Sequence, residues 1–163
     1  MIFRRGIIAR RLGMAMALPL VLGSSLVVTA APAQAAYVPT VATVAAYEAR
    51  VIYAMNVQRA RYHQVKLVAN WCPDWYAEYW AAYLARTGLF YHRPLAPILS
   101  RCHASRVSEN LARGYTTADA TVAAWMASPG HRANVLDSTL RSVGVAAVYA
   151  NGRWTVAANF TRP

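Results

Sequence analysis

Acidic residues are scarce in this chain: 6 Asp and Glu stand against 17 Lys and Arg among 163 residues, and only 14% of positions are charged. Cysteine is scarcer still. Cys72 and Cys102 leave room for one disulfide and exclude a multi-bridge scaffold. No internal repeat, low-complexity segment or linker interrupts residues 36–163, so a solenoid and a second domain drop out. No nucleic-acid motif accompanies the basic balance, and specific nucleic-acid binding is not expected. What the chain has in quantity is apolar residues, 57% of the total, which excludes an intrinsically disordered polymer.

Part of that apolar content belongs to the first 35 residues. Arg4, Arg5, Arg10 and Arg11 precede an apolar run from Met14 to Val28, and Ala33-Gln34-Ala35 supplies the small residues of a processing site. Residues 1–35 read as a secretory signal peptide and 36–163 as one exported domain. A retained anchor is the competing reading, but Pro19, Gly23, Ser24 and Ser25 break the run. The expected place is outside the cell or at the cell envelope, as a monomer without a transmembrane segment in the mature chain.

Export removes four Arg and no acid, which lowers the formal charge from +11 to +7. The remaining cations are almost all Arg, dispersed from Arg50 to Arg162. Such a surface attracts anionic wall polymers and lipid head groups, although scattered solvated charge is the plainer account. In an oxidising compartment Cys72 and Cys102 most simply pair, closing a loop of about 30 residues worth roughly 3 kcal/mol. Two free thiols are the alternative. The loop contains His92, and His103 lies beside it.

Periodicity then outlines the mature chain. Val44, Tyr47, Val51, Met55 and Tyr62 keep one face apolar and predict a helix from Val41 to Tyr62. A second helix is expected from Pro73 or Asp74 to Arg86, with Gly88 just past its end. Its aromatic residues Trp75, Tyr76, Tyr79, Trp80 and Tyr83 read mainly as core, with a carbohydrate- or lipid-binding stripe as the alternative. From Tyr91 to Arg106 a long loop is expected, punctuated by Pro94 and Pro97. A helix follows over Thr117 to Met126, capped by Thr116 or Thr117. Ser128-Pro129-Gly130 then forms a turn, with Ser128 capping a short helix through Leu136. Alternation over Val143 to Val148, the Asn151-Gly152 pair and Trp154 to Phe160 predict a terminal hairpin. Helices first and a hairpin last imply α+β.

The ordered segments MNVQRARYH, FYHRP, SENLARG, WMASPGHRANVL, SVGVAAVY and RWTVAANF resemble the bacterial branch of the CAP superfamily. These are the SCP-like extracellular domains of cysteine-rich secretory proteins, antigen 5 and pathogenesis-related proteins. The resemblance spans about residues 44 to 161. It implies an α-β-α sandwich with a small antiparallel sheet, the C-terminal hairpin included, between helical layers. It also implies a cleft lined by His92, Glu109 and His131. Where many relatives carry W-x-x-E, this chain has Trp125-Met126-Ala127-Ser128, so one carboxylate is missing.

Two neutral imidazoles can ligate Zn²⁺ or another divalent cation, with Glu109 as a third ligand or as a partner orienting an imidazole. With the fourth residue absent, weak binding at His92, His131 and Glu109 is expected. Asn110, Ser128, Arg132 and Asn134 are expected to support the cleft. Plainer roles compete: Glu109 pairing with Arg106 or Arg113, and either histidine being structural. Three functions follow. The first is a binding module for a lipid, peptide or cell-wall polymer. The second is a metal-assisted hydrolase of peptide, ester or glycan in which Glu109 or His131 moves the proton. The third is a secreted structural or signalling partner with a relic cleft.

Overall fold

Asn151 and Gly152, at φ 52° and 74°, turn the chain between two long strands, and this hairpin is the frame on which everything else is laid. The computed structural model describes residues 39–163, so the expected signal peptide lies outside the described residues. In chain order the elements are α1 (Val41–Arg61), β1 (Val68–Ala69), α2 (Trp71–Thr87), α3 (Ala96–Arg101), β2 (Arg106–Arg113), α4 (Ala118–Ala127), α5 (Pro129–Leu136), β3 (Ser142–Ala150) and β4 (Arg153–Arg162).

The strands order as β1-β3-β4-β2. The three long strands run antiparallel, and two-residue β1 adds a short parallel edge to β3. Helices cover both faces, giving an α-β-α sandwich. On one face Val51, Met55, Val122, Trp125 and Val135 of α1, α4 and α5 pack on Val143, Val156 and Phe160. On the other, Ala77, Trp80, Ala81 and Leu84 of α2 meet Leu111, Ala146 and Ala157. Apart from Leu111, the buried apolar sheet residues facing α2 are alanines, which lets the helix lie close. Gly144 marks the limit: a Cβ there would collide with the backbone of Pro73 and Asp74.

Local chemistry sets the helix ends. Thr40 caps α1 by accepting from the Thr43 amide, Asn70 caps α2 by accepting from Cys72, and Thr117 caps α4 by accepting from Ala120. Gly88 closes α2 in the left-handed conformation, φ 76°. The Asn70 cap starts α2 two residues before the expected Pro73. Tyr62, expected on the buried face of α1, is exposed. The loop expected over 91–106 contains α3, because Pro97 sits in the first turn, where a missing N–H costs nothing. Cys72 and Cys102 form the disulfide, tying the start of α2 to the end of α3.

Past β1 the outward amides of β3 are taken by side chains from both helical layers. The Val145 N–H donates to Asp74 Oδ1 at 2.9 Å, and the Ala147 N–H donates to Glu48 Oε1 at 2.8 Å. Arg59, expected among surface charges, is fully buried; it donates to the carbonyls of Val65, Val135, Asp137 and Leu140, tying α1 to the α5–β3 connection.

Candidate functional site

Strand β2 lies at the sheet edge, and successive residues on it serve the two helical layers. Glu109 is bonded to His92, from the segment after α2, and Asn110 is bonded to α5. This alternation brings the two histidines together: their ring centroids are 6.4 Å apart and their planes 51° from parallel.

The His92–Glu109 contact is the centre of the site. Nδ1 of His92 lies 2.7 Å from Glu109 Oε1, with the imidazole 56% exposed and the carboxylate side chain 1% exposed. A buried carboxylate thus fixes one ring nitrogen and leaves the other, Nε2, without that partner. Glu109 Oε2 is buried with no hydrogen bond. Burial pushes the Glu109 carboxyl above its ordinary range, against the opposing pull of the His92 bond and of Arg93. Burial, and then the neighbouring His92, hold His131 below the usual imidazole value, which favours its neutral form at pH 7.

His131 is placed by its backbone. Asn110 Nδ2 donates to the His131 carbonyl at 3.0 Å, and Asn134 Nδ2 donates to Asn110 Oδ1 at 2.9 Å and to the Glu109 carbonyl at 3.2 Å. Arg132 turns away and lays its guanidinium 5.0 Å from the Tyr62 ring centroid, tying α5 to the end of α1. Ser128 occupies the N-cap position of α5, but its hydroxyl makes no cap bond. Its backbone does the joining instead, donating to Ala124 and Trp125 of α4 and accepting from Arg132 of α5.

The alternative partners of Glu109 are engaged elsewhere. Arg106 pairs with Asp137 at 2.8 Å, and Arg113 donates to the carbonyls of Leu84, Gly88 and Leu89. Sequence reasoning passes over Arg93, yet its guanidinium lies 4.9 to 5.8 Å from the rings of Tyr76, Tyr79 and Trp80. A signal is there to be read: it adjoins His92 and follows an aromatic helix. Of the aromatic residues on α2, Tyr76 and Trp80 are core while Trp75 and Tyr79 are exposed, so the stripe divides between the two readings.

Among the described residues no three His, Cys, Asp or Glu side chains converge as a metal-holding group. The two imidazoles remain as donors, and their 6.4 Å between ring centroids is wider than the ~5 Å of two rings sharing one tetrahedral Zn²⁺. Glu109, committed to His92 Nδ1, then orients that ring as a carboxylate partner does in many histidine sites.

Fold and site together define an α-β-α sandwich with two histidines and a buried glutamate at its sheet edge. The chain belongs to the CAP, or cysteine-rich secretory protein, family, whose model matches residues 52–160. It is 43% identical to the uncharacterized protein YkwD of Bacillus subtilis over 47 residues, 29% of this chain and 18% of that protein. It superposes on an extracellular SCP-domain protein of Bacillus anthracis with TM-score 0.67 at 22% identity, covering 74% of this chain and 42% of the other. An outer surface protein of Borrelia burgdorferi matches with TM-score 0.63 at 17% identity over 69% of this chain and 89% of its own. The chain thus spans less than half the length of the two Bacillus relatives. No helix among the described residues is long and apolar enough to cross a membrane.

Proposed function

We propose that this domain is an extracellular or envelope-bound binding module whose ligand, a lipid, a peptide or a wall component, enters the cleft between His92 and His131. The observation that carries this reading is the burial of Glu109. A general base must reach the proton it moves, whereas this carboxylate is 1% exposed and holds His92 Nδ1. Glu109 therefore positions His92 rather than handling water. Nor does a nucleophile stand ready, since the Ser128 hydroxyl has no hydrogen bond to an imidazole. Zn²⁺ or another divalent cation would take the two imidazoles only with the rings drawn closer together, with water or ligand in its other positions; two protein ligands make such binding weak.

A metal-assisted hydrolase is the second reading, favoured by the lowered pKa of His131, which leaves a neutral imidazole for a metal or a proton at pH 7. Bound metal would lower the pKa of a coordinated water; here His92 and His131 would hold it and Glu109 would set the His92 ring. Calorimetry with Zn²⁺ on the wild type, His92→Ala and His131→Ala tests the shared cleft, with weak binding expected only in the wild type. Unchanged heats in both variants would remove the metal from the proposal. Retention on lipid, peptide or wall fractions, lost in the same variants, supports the binding module. Hydrolysis of peptide, ester or glycan substrates, lost in those variants, transfers the site to the second reading.

A further inference from the structure

The outward face of α2 carries Trp71, Trp75 and Tyr79, which are 81%, 57% and 57% exposed. Steps of four residues stack them along the helix, about 6 Å of axis apart. The Trp75 and Tyr79 rings are 6.4 Å apart between centroids and 14° from parallel. Burying an aromatic side chain of this size is worth roughly 1.5–3 kcal/mol, so three left in water form a surface that gains by being covered.

Polar groups beside the rings point to what covers them. A groove of about 310 Å³ runs between Trp71, Cys72, Trp75, Tyr76 and Arg101. Arg101 is exposed, and its side chain has neither a salt bridge nor a hydrogen bond among the described residues. The Cys72–Cys102 disulfide holds it there, because Cys72 follows Trp71 and Cys102 follows Arg101. An unpaired cation thus stands at the end of the aromatic face, its backbone tied to the start of α2. Glu78, also exposed, lies one helical turn from Trp75 and two from Trp71 on the same outward face.

We propose that this face, apart from the His92–His131 cleft, binds a carboxylate-bearing polysaccharide strand. The C–H faces of sugar rings stack on Trp71, Trp75 and Tyr79; Glu78 accepts from hydroxyl or amide groups; the Arg101 guanidinium takes a sugar carboxylate as a two-pronged charged hydrogen bond. The formal charge of +7 left after export of residues 36–163 suits an anionic polymer. A lipid surface fits less well, because immersing the rings would strip water from the Glu78 carboxylate beside them.

Calorimetry of the purified protein tests this with two probes of similar sugar backbone: soluble peptidoglycan glycan strands stripped of their peptides, in which every second sugar carries a free carboxylate, and neutral chitohexaose. Saturable binding of both is expected, tighter for the strands. Trp71→Ala and Trp75→Ala should each weaken both about tenfold, the value of one well-placed ring. Arg101→Gln should erase the preference for the strands and leave chitohexaose unchanged. Tyr53→Ala, which removes an exposed ring on α1, should bind as the wild type. The proposal is overturned by the absence of saturable heats with both sugars, by wild-type affinity in Trp71→Ala and Trp75→Ala, or by equal loss in Tyr53→Ala. Binding to phosphatidylglycerol vesicles that depends on Trp71 and Trp75, without a sugar response, overturns it in favour of a membrane.

Discussion

The Asn110 side chain donates to the backbone carbonyl of His131 at 3.0 Å, joining edge strand β2 to helix α5. Asn110 is fully buried, and its Oδ1 is used as well, by Asn134. The separation of the two histidines therefore depends on an amide that touches neither ring.

Replacing Asn110 with Ala removes the side-chain donor to the His131 carbonyl and one of the two acceptors of the Asn134 amide, at a cost of about 1–3 kcal/mol. Urea denaturation should show that loss, and the His131 ring resonances should shift in the same variant. Wild-type stability in Asn110→Ala would remove the residue from this positioning role.

His131 is held below the ordinary 6.5 first by burial and then by His92. Its NMR titration should therefore have a midpoint below 6.5, and His92→Ala should raise that midpoint without restoring 6.5. The native state binds this proton less readily than the unfolded chain, so the associated stability is lost as pH falls from 6.5 through the folded value. A midpoint at or above 6.5 in the wild type contradicts the burial argument.

Glu109 has the opposite sign. Its carboxyl is raised above 4.5 by burial, so the native state binds the proton more readily and loses stability as pH rises from 4.5 through the folded pKa. Glu109→Gln carries no such proton, and its stability should fall less steeply across that window. Parallel wild-type and variant curves from urea midpoints would show that the carboxylate is not destabilised.

Gly144→Ala tests how closely α2 lies on the sheet. The added methyl meets the backbone of Pro73 and Asp74 rather than a flexible side chain, so helix or strand must shift, at about 1–3 kcal/mol or more. Thermal unfolding should show a clear drop in Tm; an unchanged Tm would mean that α2 slides freely.

What is legible in the sequence is local. The span of α1, the Gly88 stop, the Thr117 cap and the Asn151-Gly152 turn each follow from residues within a few positions of one another. Strand β2 escapes such reading, because its middle is buried across successive positions and two of its polar residues, Glu109 and Asn110, find partners on distant elements. The arginines mislead for the same reason: Arg59 and Arg113 read as dispersed charge, but both tie backbone carbonyls that converge only in the fold. Motif order names His92, Glu109 and His131, whereas the hydrogen-bonding roles of Asn110 and Asn134, and the burial of Glu109, require the assembled sheet edge.

The carboxylates of Glu48 and Asp74 on the outer amides of β3 also bear on how the molecule meets other chains. A strand edge with free N–H groups is a template on which any extended peptide can zip, the route to edge-to-edge aggregation. Here Val145 and Ala147 have given those donors to side chains. An incoming strand would have to displace two charged acceptors from opposite helical layers, so this side of the sheet is closed to strand addition and partners are left to side-chain surfaces.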